Sequence, residues 1–381
     1  MKVGIVVPFS WSYWGGVVDH AESQAHALAA LGHDVRILIG NDPPGRLTRL
    51  LHPRPGRHGP LPEYVIPVGR TVIVPANASL SNLVLTPQAM VRMKRAFARE
   101  QFDVVHVHEP LAPILSQYAL AAAPCPLVTT SHAAGGRWHP WGKRFWPVLI
   151  PRIDHRIAVS EEARRAAEPW LGGPFEILPN GVDLPAAPDP GGRENRVLFI
   201  GRHEPRKGLQ VLLRAWPRIA ARTGARLRVI GADPLSVAFL LRRLEVSDPS
   251  IELLGVVPTQ TLLEELGAAK VLAAPAIGGE TFGMVLTQAF ATATPVVASD
   301  IAGYREVAGP ETGILVPPGD EDALVLGICT LLEDEARRRA LGARAREVAE
   351  DRYSWGRLAG RLVEIYSSLI GVPVAQRAAA R

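Results

Sequence analysis

Short runs of aliphatic and β-branched residues alternate with amphipathic segments of helical period along nearly the whole chain. Parallel strands that are buried on both faces appear as near-continuous apolar runs, so this alternation predicts βαβ units. Seven strands are predicted in the first half, at 2–8, 35–40, 64–68, 104–108, 127–131, 156–160 and 176–179. Helices are predicted between them, at 17–31, 87–100, 111–122 and 161–170.

The alternation stops at residues 184–195, which are rich in Pro and Gly and have no apolar period, as is typical of a linker. It then resumes with predicted strands at 196–201, 226–231, 251–257, 271–276, 295–299 and 313–316. The C-terminal region is predicted to be helical over 320–349 and 354–369. We therefore predict an α/β protein with two Rossmann-like domains, 1–183 and 196–353, followed by a C-terminal helix and tail over 354–381.

The composition narrows the class of protein. Of 381 residues, 47% are hydrophobic and 21% charged, which excludes a disordered or fibrous chain. Cys125 and Cys329 are not part of a CxxC motif, which argues against a disulfide scaffold or a zinc site and suits a reducing cytoplasm. The N-terminus begins with a strand-like run, so no signal peptide is expected. The uncharged stretch 281–299 contains Gly, Pro and Thr and predicts a buried helix and strand rather than a membrane span.

Charge is distributed unevenly along the chain. The net charge is +5, and residues 1–150 hold 14 Lys and Arg against 8 Asp and Glu, whereas the remainder holds 28 against 29. A basic half indicates a phosphate group, a nucleic acid or an anionic membrane surface as partner. Arginine-rich usage also fits a GC-rich coding sequence, which leaves a purely compositional explanation open.

Three segments of the second half suggest a phosphate and sugar site. Segment 201–208, GRHEPRKG, follows a predicted strand and opens a helix, where backbone N–H groups and basic side chains favour a phosphate. Segment 278–283, GGETFG, combines glycines that permit close approach of a ligand with Glu280, a candidate acceptor for sugar hydroxyl groups or, alternatively, a helix-cap residue. Segment 180–183, NGVD, is also a strong turn signal.

Motifs along essentially the whole chain, taken in order, resemble those of the retaining, nucleotide-sugar-dependent glycosyltransferases of GT-B fold (glycosyl transferases group 1 / family 4). Within this family the chain is most similar to actinobacterial phosphatidylinositol mannosyltransferases, which use GDP-mannose. The resemblance implies two Rossmann-like domains facing each other across a cleft, with the C-terminal helix returning to the first domain. The matching segments are Pro8 with Gly15-Gly16-Val17 and His20, then 106–110, 131–132, 157–160, 179–183, 201–208 and 279–283.

The resemblance also implies roles for individual residues. Arg202 and Lys207 would bind the donor pyrophosphate and stabilise the departing phosphate. Glu280 would hold the sugar hydroxyl groups, and His132 would lie near the reacting carbon. The remaining donor-binding positions implied are Gly15, Gly16, Gly201, Gly279, Thr281, Phe282, Gly283 and Gln288.

Two positions depart from the family pattern. Gln288 stands where a second glutamate normally accepts both ribose hydroxyl groups, and an amide offers one acceptor oxygen. Segment 258–260, PTQ, lacks the carboxylate expected to face guanine. The resemblance favours GDP-mannose as donor, and these two departures leave a UDP-sugar possible.

The resemblance implies transfer with retention, in which the leaving phosphate accepts the proton of the acceptor. This scheme requires no cofactor and no metal. The acidic string 320–322, DED, precedes a predicted helix and is interpreted as an N-cap with first-turn acids rather than as a metal site.

Two basic clusters in the first domain are candidates for acceptor or membrane contact, together with His20. Basic residues beside Trp suit an anionic membrane interface; the alternative is a solvated loop with a packed aromatic cluster. No nucleic-acid-binding module is recognised. The clusters comprise Arg46, Arg49, Arg54 and Arg57, and Arg137, Trp138, Trp141, Lys143, Arg144 and Trp146; a predicted helix adds Arg92, Lys94, Arg95 and Arg99.

The sequence thus predicts a retaining hexosyltransferase that moves a hexose, with mannose favoured, to a membrane-lipid headgroup such as phosphatidylinositol. Its expected location is the cytoplasm, peripheral to the inner membrane. One alternative is a glycosyltransferase with a soluble sugar or phospho-sugar acceptor. Another is a non-catalytic protein that binds a nucleotide sugar, an alternative suggested by Gln288.

Overall fold

The computed structural model describes residues 1–13, 15–52, 59–76, 79–132, 146–186 and 192–371. The chain divides into two units, each with its own parallel sheet. Unit 1 comprises Met1–Gly181 and the C-terminal segment that begins at Trp355, and unit 2 comprises Val182–Ser354. The chain therefore changes unit at Gly181 and Val182, just before the predicted linker, and the C-terminal helix belongs to unit 1.

The sheet of unit 1 has seven parallel strands in the order β3-β2-β1-β6-β7-β8-β9. A separate antiparallel hairpin consists of β4 and β5. The strands are β1 (Lys2–Ser10), β2 (Asp34–Gly40), β3 (Val65–Gly69), β4 (Val72–Ala76), β5 (Ser79–Leu83), β6 (Val104–His108), β7 (Leu127–Ser131), β8 (His155–Ala158) and β9 (Glu176–Ile177).

Helices cover both faces of this sheet, and their apolar sides form two buried clusters with the strands. The C-terminal helix packs against the first helix and places Tyr366 in the core. The helices are α1 (Gly16–Ala30), α2 (Arg46–Leu51), α3 (Pro87–Glu100), α4 (Leu115–Ala122), α5 (Trp146–Leu149), α6 (Glu161–Leu171) and, at the C-terminus, α14 (Trp355–Leu369).

The sheet of unit 2 has six parallel strands in the order β12-β11-β10-β13-β14-β15, with a core around the fully buried Trp216. The strands are β10 (Glu194–Ile200), β11 (Arg226–Ile230), β12 (Ile251–Gly255), β13 (Ala269–Ala274), β14 (Val296–Ser299) and β15 (Gly313–Val316). The helices are α7 (Leu209–Thr223), α8 (Pro234–Arg243), α9 (Thr259–Ala268), α10 (Met284–Ala291), α11 (Ala302–Arg305), α12 (Glu321–Glu333) and α13 (Glu335–Val348).

Each sheet contains one point at which the strand order reverses. In unit 1 it lies between β1 and β6, and in unit 2 between β10 and β13. Helices leave neighbouring strands toward opposite faces at such a point, so a crevice opens at the carboxyl ends of the strands. These two places are therefore where the topology favours ligand binding.

The predicted strands and most helices are confirmed, with local differences of three kinds. α2, α5, α11 and the β4–β5 hairpin are additional elements that the sequence pattern did not predict. The predicted helix 111–122 begins only at Leu115, because Ile114 has a φ of 61°. The predicted helix 320–349 is divided, since Asp334 ends α12 and caps α13 by accepting a hydrogen bond from the Arg337 N–H.

The apolar stretch 281–299 forms α10 and β14, as predicted. Among the described residues, no helix has the length and apolar character needed to cross a membrane. Asp320 caps α12 by accepting a hydrogen bond from the Ala323 N–H, which confirms the N-cap interpretation of the acidic string.

Candidate active site

Three basic residues follow the carboxyl end of β10 in unit 2. Gly201 and Arg202 come directly after the strand, and a single 3-10 turn, Pro205–Lys207, leads into α7. Gly208 joins this turn to the helix with a φ of 71°, and a Cβ there would lie 1.8 Å from the Pro275 carbonyl oxygen. The glycine therefore lets the basic turn lie directly against the segment that follows β13.

Glu280 lies on that neighbouring segment and receives two of the cations. Arg206 Nη1 donates to Glu280 Oε1 at 2.5 Å, and Lys207 Nζ lies 2.7 Å from the same oxygen. The Glu280 side chain is only 10% exposed. Two further hydrogen bonds join the two segments. The Ile277 N–H donates to the Arg206 carbonyl at 2.8 Å, and Arg206 Nη1 donates to the Gly279 carbonyl at 3.0 Å.

Glu204 links the remaining cation to the cluster. Its two carboxylate oxygens lie 2.9 Å from Arg202 Nη2 and from an Arg206 guanidinium nitrogen. We call Arg202, Glu204, Arg206, Lys207 and Glu280 the charged cluster. Its three cations exceed its two carboxylates, so it retains a net positive charge that can receive an anion.

The loop between β13 and α10 supplies backbone donors beside the charged cluster. Gly283 precedes α10 with a φ of 80°, and within the described residues no side chain caps the helix. The Leu286 N–H donates to the Gly283 carbonyl at 2.9 Å. The N–H groups before Leu286 at the helix start are candidates for contact with a ligand. Phe282 is buried and packs edge-to-face on Tyr353 with ring centroids 5.7 Å apart, which fixes the loop, whereas Thr281 and Gln288 are partly exposed.

Unit 1 has a similar uncapped helix start at α1. Gly15 is the N-cap residue in an extended conformation, no side chain caps the helix, and Gly16 at the first position is exposed. Among the described residues, none other than its direct chain neighbours lies within 4 Å of a Cβ placed at Gly15.

Three histidines from three elements converge in unit 1. His20 comes from α1, His108 ends β6, and His132 follows β7. His108 Nδ1 and His132 Nε2 are 2.9 Å apart in a hydrogen bond, and the ring of His20 lies with its centroid 5.4 Å from His108 and 4.9 Å from His132. We call these three residues the histidine cluster. Glu109 Oε1 accepts a hydrogen bond from the His132 backbone N–H at 2.9 Å.

Burial keeps these imidazoles neutral. It lowers the pKa of His20 to about 4, although the Gln24 and Asn180 side chains act in the opposite direction. Burial also lowers the pKa values of His108 and His132 well below the usual range, with neighbouring histidines adding to the effect. A neutral imidazole has one N–H and one free lone pair, so the cluster offers hydrogen-bonding or metal-ligating nitrogen rather than positive charge.

A buried network lies behind this region. His106 stacks on His108 with centroids 4.7 Å apart, and its Nδ1 lies 2.6 Å from the Tyr366 hydroxyl of α14. Its Nε2 lies 2.6 Å from Thr130 Oγ1. Burial lowers the pKa of His106 to about 3. The C-terminal helix therefore supports the strand that carries His108.

Buried polar residues around Asp42 connect α2 to the sheet of unit 1. Asp42 follows β2 and accepts hydrogen bonds from Ser10 Oγ at 2.6 Å and Thr71 Oγ1 at 2.5 Å. His52 follows α2 directly as its C-cap residue, and its Nε2 lies 3.5 Å from Asp42 Oδ1. α2 is thus tied to the carboxyl end of the strands through its last turn.

Only some of the predicted acceptor and membrane residues lie within the described part of the chain. Arg46 and Arg49 are exposed on α2. The basic residues of α3 are exposed opposite its buried face, which contains Met93 and Phe97. Outside the described residues lie Arg54, Arg57, Arg137, Trp138, Trp141, Lys143 and Arg144.

Two residues of that set need correction. Trp146, predicted at a membrane interface, is 4% exposed and belongs to the apolar core, because the short helix α5 turns Trp146 and Leu149 inward. His20, predicted to contact the acceptor or a membrane, is 7% exposed and packs in the histidine cluster. This burial argues against contact with a membrane, and contact with the acceptor stays a prediction.

The charged cluster contains two residues to which the sequence analysis gave no role. Arg206 binds Glu280 directly and Glu204 binds both arginines. The signal was present in the sequence, since an Arg-Lys pair immediately before a helix-initiating Gly places two cations in the same turn. His108 was part of a matched motif, but its hydrogen bond to His132 depends on the adjacency of β6 and β7.

Comparisons with known proteins show the family of the chain. The sequence model of glycosyl transferases group 1 matches residues 194–334, and that of glycosyltransferase family 4 matches residues 14–185. The chain is 36% identical over 388 residues to phosphatidyl-myo-inositol mannosyltransferase of Mycolicibacterium smegmatis, with 98% of this chain and 95% of the relative covered.

Two further similarities are to another mannosyltransferase and to a solved structure. The chain is 31% identical to the GDP-mannose-dependent monoacylated alpha-(1-6)-phosphatidylinositol monomannoside mannosyltransferase of Corynebacterium glutamicum, covering 68% of this chain and 74% of that protein. Among solved structures, HepE of Anabaena in complex with UDP is similar in fold, with a TM-score of 0.71 at 19% identity and coverage of 97% and 100%. The chain therefore belongs to the GT-B glycosyltransferases of group 1 and family 4.

Proposed function

We propose that this glycosyltransferase moves a mannosyl residue from GDP-mannose to the headgroup of phosphatidylinositol, with retention of configuration. The observation that carries the proposal is the charged cluster, which combines excess positive charge with a nearly buried carboxylate at the strand-order reversal of unit 2. A sugar diphosphate presents the complementary chemistry, namely an anionic pyrophosphate next to hydroxyl groups.

The donor pyrophosphate is assigned to Arg202 and Lys207. Arg202 is 47% exposed along its side chain and can turn its guanidinium group toward a phosphate while remaining near Glu204. The Lys207 ammonium group has three N–H donors, and its contact with Glu280 leaves donors for a phosphate. Stabilisation of charge that develops on the leaving phosphate contributes strongly to the rate of such a transfer.

The sugar hydroxyl groups are assigned to Glu280 and the N–H groups after Gly279 in unit 2. For the neutral His132 of unit 1 we propose, separately, the role near the reacting carbon that the family resemblance implies. Glu280 is an acceptor held in one orientation by Arg206 and Lys207, which suits recognition of hydroxyl groups. His132 is oriented through its ring by His108 and through its backbone by Glu109. As a neutral imidazole it can exchange one hydrogen bond with the sugar without opposing a cationic transition state.

Retention is proposed to proceed by attack of the acceptor hydroxyl on the face from which the phosphate departs. The bond from the anomeric carbon to the phosphate oxygen breaks, the bond to the acceptor oxygen forms, and the departing phosphate takes the acceptor proton. Arg202 and Lys207 stabilise the resulting negative charge. This route needs no cofactor beyond the donor.

The lipid acceptor is assigned to unit 1 at an anionic membrane surface. α2 exposes Leu50 at 80% and Leu47 at 49% beside Arg46 and Arg49. Exposed leucines between arginines suit the boundary between lipid headgroups and acyl chains. The names of the mycobacterial and corynebacterial relatives support phosphatidylinositol as the headgroup.

A reconstituted assay tests the function directly. Purified chain is incubated with vesicles that contain phosphatidylinositol and with GDP-mannose or UDP-glucose, and the mannosylated lipid and released nucleotide are measured. We expect lipid product with GDP-mannose only. Product with UDP-glucose instead would assign the second donor class, which stays open because segment 258–260 lacks the carboxylate expected to face guanine.

The variant Glu280→Gln tests whether the carboxylate contributes to sugar transfer. Loss of a charged acceptor is expected to lower kcat/KM by about 10- to 100-fold. Glu264→Gln, an exposed position on α9 of the same unit, serves as the matched control and should retain full turnover. Product formed on free inositol phosphate but not on vesicles would establish the soluble-acceptor alternative, whereas nucleotide-sugar binding without product from any donor would establish the non-catalytic one.

A further inference from the structure

The histidine cluster offers more nitrogen than its internal hydrogen bonds use. One ring nitrogen from each of His20, His108 and His132 lies within 4.8 Å of the corresponding nitrogen of the other two. Within the described part of the chain, His20 Nδ1 and His108 Nε2 are buried and have no hydrogen-bond partner. Buried polar atoms of this kind are rare in folded proteins and indicate a missing partner.

The spacing of the rings fits a small transition-metal ion. Zinc bonds to imidazole nitrogen at about 2.0–2.1 Å, and tetrahedral ligands are then separated by about 3.4 Å. The ligand nitrogens of the three rings lie within 4.8 Å of one another, close to this separation. The ion would replace the hydrogen bond between His108 Nδ1 and His132 Nε2. The three histidines come from α1, β6 and the end of β7, so the backbone holds them in place.

The surroundings of the three rings also suit a metal. Glu109 Oε1 accepts a hydrogen bond from the His132 backbone N–H and helps to fix the position of this residue. Outer contacts position metal-ligating imidazoles in known sites. Nitrogen ligands favour Zn²⁺, Co²⁺, Ni²⁺ or Cu²⁺ over the oxygen-preferring Mg²⁺.

We propose that His20, His108 and His132 form an inhibitory site for a zinc-class ion, with a fourth position open to water. The inhibition rests on the proposed function, because His132 is assigned there to the donor sugar. A metal ion on its imidazole would remove that contact and place positive charge where the transferred sugar develops its own. Binding of the ion depends only on the geometry of the three rings.

Binding is tested on the full, tag-free chain with Co²⁺ and Zn²⁺ as probes. We expect one equivalent of Co²⁺ to give the strong visible absorption of tetrahedral coordination, and Zn²⁺ to displace it. His108→Gln should weaken Zn²⁺ binding by about 100-fold or more, since even loss of an outer contact costs up to that factor. His26→Gln is the matched control, because His26 is an exposed histidine on the same helix as His20.

Several outcomes would overturn the site. These are absence of stoichiometric binding, an octahedral Co²⁺ spectrum, or equal weakening by His26→Gln and His108→Gln. His20→Gln provides a second ligand variant, and circular dichroism shows whether each variant folds. A folded His20→Gln chain with unchanged Zn²⁺ affinity would contradict its role as a ligand.

The inhibitory effect is measured separately. Equimolar Zn²⁺ should reduce mannosyl transfer at least about 10-fold, and Mg²⁺ should not. Zn²⁺ that binds in the spectroscopic assay but leaves transfer unchanged would refute inhibition while leaving the metal site intact. Zn²⁺ binding in a chain that transfers no sugar from any donor would refute the proposed function and not the site.

Discussion

The two units place different chemistry at equivalent points of the same topology. In each, polar side chains gather at the carboxyl ends of the two strands where the strand order reverses. Unit 1 gathers buried imidazoles whose pKa values are lowered, whereas unit 2 gathers partly exposed ions that pair with one another. The topology therefore decides where a site forms, and the local residues decide whether it is neutral or charged.

This difference follows from burial. His108 ends a strand inside the sheet of unit 1 and is fully buried, so its charged form is disfavoured. Arg202 follows its strand by two residues and is 47% exposed, so it stays charged at little cost. Unit 1 is thus suited to orient neutral groups, and unit 2 is suited to stabilise charge that appears during a reaction.

The largest effect on turnover is expected when one cation of the charged cluster in unit 2 is removed. Lys207→Ala removes a donor to the proposed leaving phosphate and leaves Glu280 with Arg206 alone. We expect kcat for mannosyl transfer to fall by about 100- to 1,000-fold, the usual cost of losing one donor of this type. Steady-state kinetics with GDP-mannose provides the measurement.

Arg243→Ala is the control for general loss of positive charge, since Arg243 is exposed on α8 of the same unit. It should leave kcat unchanged. A Lys207→Ala chain with near-normal kcat would mean that unit 2 does not stabilise the leaving group, and the contrast between the units would then be structural only.

The pH dependence of stability tests the neutral character of unit 1. The folded-state pKa values of His20 and His106 are lowered to about 4 and about 3. The unfolded chain therefore binds more protons below about pH 6.5, and the free energy of unfolding falls as the pH drops. By pH 5 the loss is about 2 kcal/mol for each histidine.

Urea denaturation in the presence of a chelator at pH 7 and pH 5 measures this loss. His106→Gln should make stability less dependent on pH in this range, and the exposed control His26→Gln should not. Identical pH dependence in the wild-type chain and His106→Gln would show that His106 binds protons equally in the folded and unfolded states, which would contradict its lowered pKa.

The fold could be predicted from the sequence because periodic apolar runs determine buried parallel strands. The exceptions have local causes. β4 contains Pro75, and proline lowers the apparent strand propensity of a segment. α2 spans six residues, too few for a helical period to stand out. The break at Asp334 has neither Gly nor Pro, so only its capping hydrogen bond marks it.

The sites could be predicted only in part. Lys207 and Glu280 were both expected to contact the donor, but their ion pair joins residues that are far apart in sequence. It depends on β10 and β13 being neighbours in the sheet, which a strand pattern alone does not determine. The roles of Arg206 and His108 depend on the same kind of non-local adjacency.

Exposed leucines of equal accessibility allow a test of which unit meets the membrane. Leu50 on α2 of unit 1 is 80% exposed, and Leu235 on α8 of unit 2 is 81% exposed. Leu50→Gln should reduce binding to anionic vesicles about 10-fold, because part of the transfer energy of a leucine is lost. Leu235→Gln should have no effect, and equal effects in a flotation assay would refute assignment of the membrane to unit 1.

The smallest expected effect concerns Gln288, partly exposed on α10 of unit 2. Gln288→Glu restores the carboxylate of the family pattern, and we expect GDP affinity to rise about fivefold as a charged acceptor replaces a neutral one. The added charge also opposes the pyrophosphate, because it reduces the positive excess of unit 2. Salt separates these two effects, since it screens the repulsion and leaves the short-range hydrogen bond. Calorimetric titration with GDP at low and high salt should therefore show a larger gain at high salt, and Gln288→Leu should weaken binding at both. A loss of affinity at low salt that disappears at high salt, with no gain at either, would mean that residue 288 acts on the nucleotide through its charge and not through the ribose.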